Sequence, residues 1–174
     1  MLYFFIGFFF LLLDFPIAIG GGSLNLMPAC VGGVLVLLGI GQTCDGTPRF
    51  LRMRLSSALL VVLNLARTVT DILGIGDEAL WHVLAQGFEM LLALYLAYEI
   101  AEYVKAKEKA ASRPLGGKDL ASAWFLLTFG NLLSFLAGRV ESIALLCLVL
   151  QLLSVVWYQT ALWRAHKKMR VLKK

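Results

Sequence analysis

Charge is scarce in this chain. Asp, Glu, Lys and Arg make up 16% of its 174 residues, against 60% hydrophobic ones, where a water-soluble domain carries roughly a quarter charged. A domain of this size in water needs a largely polar surface, and too few polar groups are present to supply one. An ordinary soluble globule is thereby excluded, and the lipid bilayer becomes the solvent for much of the chain.

Ligand-type residues are equally sparse. Cys30, Cys44 and Cys147 form no CxxC pair and have no His at metal-ligand spacing, so they read as free thiols, and neither a metal nor another cofactor is expected. No GxSxG, HExxH or Walker loop occurs, and the Gly20-Gly21-Gly22-Ser23 run lacks the Lys of a phosphate loop. The chain is accordingly read as not an enzyme. No Lys or Arg precedes the apolar stretch Leu2 to Leu13, and Asp14 to Ser23 offers no small-x-small cleavage site, so that stretch reads as a retained segment and not as a signal peptide.

What is present is a series of apolar runs. A hydrocarbon core of roughly 30 Å needs about 20 helical residues, and six runs approach that length: Leu2 to Ile19, Leu24 to Ile40, Leu55 to Leu73, Leu80 to Val104, Leu120 to Ala137 and Ser142 to Trp163. The second is the weakest helix former, because Pro28, the pair Gly32 and Gly33, and Gly39 with Gly41 all lower its helical preference. Packing and turn formation account for these glycines, Ala29 with Gly33 having the small-xxx-small spacing of close helix pairs. A broken-helix binding site around Pro16, Gly20 to Gly22 and Pro28 is the alternative.

The net charge of +5 does not point to nucleic acid, because the cations are confined to segments beside the runs. Arg49, Arg52 and Arg54 follow the second run. Lys105, Lys107, Lys109, Arg113 and Lys118 follow the fourth, and Arg164, Lys167, Lys168, Arg170, Lys173 and Lys174 follow the sixth. The alternate connections hold Gly20 to Ser23, then Asp77 and Glu78, then Arg139 with Glu141. Positively charged short loops stay in the cytoplasm, so this alternation predicts six spans with both termini inside and residues 164–174 as a basic cytoplasmic tail. Trp81, Tyr103 and Trp163 fall at the expected water boundaries. The tail could also lie on anionic lipid. The expected fold is all-α, a single polytopic bundle of six transmembrane helices in the cell membrane.

Internal similarity suggests three in-out-in hairpins. The third and fifth runs open Leu55-Ser-Ser-Ala and Leu120-Ala-Ser-Ala, each with an Asn deeper in, Asn64 and Asn131. The fourth and sixth can be set with Glu89 over Gln151, Tyr95 over Trp157 and Lys105 over Lys167. Chance agreement between two apolar helices is the rival explanation.

Polar residues within the runs carry the functional expectation, since a charge in hydrocarbon costs at least about 2.5 kcal/mol and tends to face the bundle interior. At ~1.5 Å per residue, Arg67 lies about 18 Å from the inner boundary and Glu89 about 14 Å from the outer one. The same count brings Asp14, Asn131 and Gln151 near that level. Asn64, Arg67 and Asp71 share one helix face at spacing i, i+3, i+7, and His82, Gln86 and Glu89 share another at i, i+4, i+7. Facing each other across a tight hairpin, the two sets would line a polar track inward from the outer surface. Glu99 and Glu102, beside Lys105 and Lys107, read as a solvated helix end.

The segment Phe4-Phe-Ile-Gly-Phe-Phe-Phe-Leu-Leu-Leu-Asp-Phe-Pro-Ile, followed by Leu24-Asn-Leu-Met-Pro-Ala-Cys-Val-Gly-Gly-Val, resembles the start of multispan integral membrane proteins of Firmicutes. That family has no assigned activity. The resemblance covers about the first 42 residues and implies only a bacterial cytoplasmic membrane; Ala29 stands where the family pattern has an acid.

Two functions fit. One is a small transporter, or the substrate-capturing membrane subunit of one, binding a small solute or ion at Asp14, Asn64, Arg67, Asp71, His82, Gln86, Glu89, Asn131 and Gln151. The other is a non-catalytic accessory or scaffold protein whose polar layer only holds the bundle together, and whose surface meets a membrane protein partner or a second copy of the chain.

Overall fold

The computed structural model describes residues 2–12, 16–19, 22–25, 29–43, 48–72, 80–137 and 140–172. Among them are six helices: α1 Leu2–Leu12, α2 Ala29–Thr43, α3 Pro48–Ile72, α4 Leu80–Ala111, α5 Gly117–Ala137 and α6 Glu141–Leu172. Two short strands, β1 Pro16–Ile19 and β2 Gly22–Asn25, lie between α1 and α2. The all-α class holds apart from this hairpin. Four helices, α3 to α6, are long and apolar enough to cross a membrane.

The first expected span, Leu2 to Ile19, is corrected to an 11-residue helix followed by a strand. Pro16 lacks an N–H and its ring clashes with the carbonyl four residues back, so a helix cannot run through it undisturbed. The second, Leu24 to Ile40, is shifted: Leu24 and Asn25 belong to β2, which pairs antiparallel with β1 in the register Ile17 to Leu24, and the helix starts at Ala29. Pro28 stands immediately before that start in the sequence, and a proline at a helix start gives up no intrahelical bond. At ~1.5 Å per residue α1 and α2 are only about 16 and 22 Å long.

The later helices outrun their expected ends. α3 starts at Pro48, α5 at Gly117, α4 continues to Ala111, and α6 runs through most of the expected tail to Leu172. Lys, Glu, Ala and Arg fill these extensions and are good helix formers in water as well as in lipid.

The chain divides into two compact units, Met1–Leu96 and Ala97–Lys174, with the boundary inside α4. In the first unit the close helix pairs are α1 with α2 and α2 with α3, and β2 lies against α3. Glycine makes the first of these contacts. A Cβ on Gly32 would stand 2.7 Å from the Gly7 carbonyl oxygen, and one on Gly7 would meet the Gly32 carbonyl at 2.9 Å. Gly33 faces α3, where a Cβ would stand 2.7 Å from Val61 Cγ2, and its carbonyl accepts a 3.0 Å hydrogen bond from Ser57 Oγ. Gly32 and Gly33 thus pack against neighbouring helices, whereas Gly41 is exposed. In the second unit α5 and α6 form the close pair, with Gly130 against Ser154.

On α3 and α6 large apolar residues make up much of the exposed surface. On α3 the stripe Phe50, Met53, Ser57, Leu60, Asn64 is buried, whereas Leu51, Leu55, Leu59, Val62, Leu65 and Val69 are exposed. On α6 the buried stripe Cys147, Ser154, Tyr158, Ala161, Ala165 contrasts with exposed Leu145, Leu146, Leu153, Val156 and Trp157. Large apolar side chains thus cover the outward faces of both helices, while the buried stripes mix apolar residues with Ser57, Asn64, Ser154 and small side chains.

Candidate functional site

The described polar residues of the spans fall into two sets, one in each unit. In the first unit α3 carries Arg67 into contact with Glu89 of α4, the Nη1 donating to Oε2 at 2.8 Å. The Glu89 side chain is 9% exposed and that of Arg67 19%. Helix depth set Arg67 near the level of both Glu89 and Asp14; the structure brings Glu89 to it, and Asp14 lies outside the described residues. Among the described residues α3 and α4 are not a close helix pair, and the two long side chains bridge between them. The guanidinium and the carboxylate are thus joined by a charge-assisted hydrogen bond.

Asn64 is buried one turn before Arg67, but its Nδ2 donates to the Leu60 carbonyl of its own helix at 2.9 Å. Thr68 Oγ1 then donates to the Asn64 carbonyl at 2.8 Å. These i to i−4 bonds occupy the groups locally. On the face expected to run through His82, Gln86 and Glu89, Gln86 is exposed, and no described side chain of α4 before Glu89 is buried. Asp14, and the side chains of Asp71 and His82, lie outside the described residues.

In the second unit Gln151 of α6 joins α5 twice. Ser134 Oγ donates to Gln151 Oε1 at 2.8 Å, and Gln151 Nε2 donates to Asn131 Oδ1 at 3.3 Å. Asn131 in turn donates to the Leu127 carbonyl at 2.9 Å, repeating the Asn64 geometry. The match between hairpins is closer than their openings suggest. With Asn64 set over Asn131, Leu60 falls on Leu127 and Arg67 on Ser134. Arg67–Glu89 and Ser134–Gln151 then become the same contact in two hairpins. The opening alignment of Leu55 with Leu120 is corrected, since Leu55 is 63% exposed and Leu120 is fully buried.

Two features escaped sequence reasoning. Ser134, partner of Gln151, gave no signal beyond its place one turn after Asn131. Glu99, expected at a solvated helix end, is only 4% exposed. Between Ala93 and Val104 most of the α4 circumference is buried, so an acid there meets burial whatever its helical phase; the Ala93, Ala97, Ala101 spacing was the available hint. Cys30 and Cys147 are free thiols, and Cys44 lies outside the described residues. Among the described residues no group of three His, Cys, Asp or Glu side chains could hold a metal. No known protein family, curated protein or solved structure matches this chain.

Proposed function

We propose that this chain is a non-catalytic carrier of the bacterial cytoplasmic membrane, or the substrate-capturing subunit of one, that binds a small solute or ion at Arg67 and Glu89. It crosses six times, with α1 and α2 as short first spans where the bilayer thins locally, and keeps both termini in the cytoplasm. The distribution of Lys and Arg after α2, α4 and α6 supports that orientation.

The observation that carries the binding reading is internal to the molecule. The α5–α6 hairpin makes its polar contact with neutral groups, Ser134, Gln151 and Asn131, whereas the α3–α4 hairpin places an ion pair at the same position. Each ion removed from water costs several kcal/mol before pairing, and buried pairs often bring no net stability over neutral groups. A contact that only joined helices would have no need of charge. A charged pair can exchange partners: an anionic group competes for Arg67, and a cation or proton takes the released Glu89.

A scaffold role is the second reading. It is favoured by Gln151, whose two amide contacts to α5 leave it occupied in joining helices. The readings part in a thermal-unfolding screen of the solubilised protein against a panel of small anions, cations and zwitterions between pH 5 and 8. A carrier shows solute-dependent stabilisation that disappears in Arg67→Gln/Glu89→Gln while the variant stays folded. Stabilisation by no solute, together with an unchanged melting curve in the variant, would remove the binding proposal.

A further inference from the structure

The cytoplasmic end of the second unit carries a feature that neither reading uses. α4 and α6 each hold 32 residues, about 48 Å at 1.5 Å per residue, and so overreach a ~30 Å hydrocarbon core. Their excess is basic. Between positions 102 and 119 and between 164 and 170 stand nine Lys or Arg residues against three acids, Glu102, Glu108 and Asp119. Two of these acids are engaged locally. Glu102 pairs with Lys105 at 2.7 Å, and Glu108 Oε2 accepts from the Gly117 N–H at 2.8 Å, closing the turn into α5.

That turn brings the two basic segments together. Gly116 adopts φ +94°, and a Cβ there would stand 3.8 Å from Lys168 Nζ of α6 and 3.8 Å from Asp119 Oδ2. The last turns of α6 therefore lie beside the α4–α5 connection, anchored by buried Ala165 and Leu115, while Arg113, Lys118, Lys167 and Arg170 are exposed. Each helix also sets a lysine one turn beyond an aromatic ring. Lys107 Nζ is 5.7 Å from the Tyr103 centroid, and Lys167 Nζ is 5.6 Å from that of Trp163. Tyr and Trp settle at the hydrocarbon boundary, so lysines four residues further on stand about 6 Å beyond it. The headgroup layer occupies roughly the first 5–8 Å outside the hydrocarbon.

The geometry points to a docking surface for anionic phospholipid headgroups, formed by the α4–α5 turn and the final turns of α6. It rests on the membrane-spanning reading of these helices and not on any role for Arg67 or Glu89. The depth of the lysines selects lipid over an acidic protein or nucleic acid, which would approach from bulk water and meet cations further out.

The test places the full-length protein in nanodiscs of phosphatidylcholine with and without phosphatidylglycerol, and reads co-purifying lipid by native mass spectrometry. The expected result is selective retention of phosphatidylglycerol, weakened by 0.5 M salt. Near an anionic surface each cation is worth a factor of about five, so Lys167→Gln/Lys168→Gln/Arg170→Gln should lower that retention more than tenfold, and the Lys167→Arg/Lys168→Arg variant should keep it. Arg52→Gln/Arg54→Gln, which removes exposed charge from the first unit, should leave it unchanged. Equal retention of both lipids, or an equal loss in the two neutralised variants, overturns the assignment. Release of the wild-type chain from membranes by alkaline carbonate would instead overturn the spanning reading beneath it.

Discussion

The α3–α4 and α5–α6 hairpins solve one problem with different chemistry. Both set an Asn that bonds back to a buried Leu carbonyl one turn earlier, and both place a side-chain contact one turn further along. In α5–α6 that contact is neutral and the helices pack closely, with Gly130 against Ser154. In α3–α4 it is ionic and spans the reach of an Arg and a Glu. Helices in lipid gain no hydrophobic energy by meeting, so small residues and hydrogen bonds decide which of them pair. The neutral hairpin shows that amides and hydroxyls suffice for pairing, which supports the binding role proposed for the charged one.

The largest effect should come from halving the ion pair. Glu89→Gln or Arg67→Gln leaves one buried charge without its opposite, and such losses run to about 3–5 kcal/mol; titration with dodecyl sulfate in mixed micelles measures it. Charging the other hairpin should cost less. Ser134→Arg with Gln151→Glu forces long side chains into a closely packed contact, at an expected 1–3 kcal/mol of overpacking, read in the same titration. A similar loss, about 1–3 kcal/mol, is expected for Gly32→Val, whose first added carbon would stand 2.7 Å from the Gly7 carbonyl; it should lower the melting temperature without altering the response of the Arg67 and Glu89 variants. The smallest effect belongs to Gln151→Leu, since polar contacts between membrane helices average about 0.6 kcal/mol and reach at most about 1.7. A loss at Gln151 as large as that at Glu89 would erase the distinction between the hairpins.

Much of this was legible in the residues. Low charge and long apolar runs announced helices long and apolar enough to cross a membrane, and the four such helices follow from runs that no proline interrupts. Helix depth brought Arg67 and Glu89 to one level, but it brought Asp14 there too and did not choose between the two acids. The failures have definite causes. Hydrophobicity does not distinguish helix from strand over a short run, so Pro16 to Asn25 read as parts of two spans where the chain forms a hairpin. Helix ends were drawn where the apolar runs stop, although hydrogen bonding carries α4 and α6 on through the charged residues that follow. Glu99 looked solvated because its neighbours in sequence are charged, while its burial depends on residues distant in the chain. The Leu55 and Leu120 likeness misled because one such residue faces outward and the other inward.

The proposed role of the Arg67–Glu89 pair requires a coupled link that folding itself can spare. A double-mutant cycle on Arg67→Gln and Glu89→Gln, with unfolding free energies from the dodecyl sulfate titration, asks this directly. The expected outcome is a loss of about 3 kcal/mol or more for each single variant and less than about 1.5 kcal/mol for the double. Losses that simply add would show that the two side chains act independently, and the pair would lose its place as the centre of the molecule's chemistry.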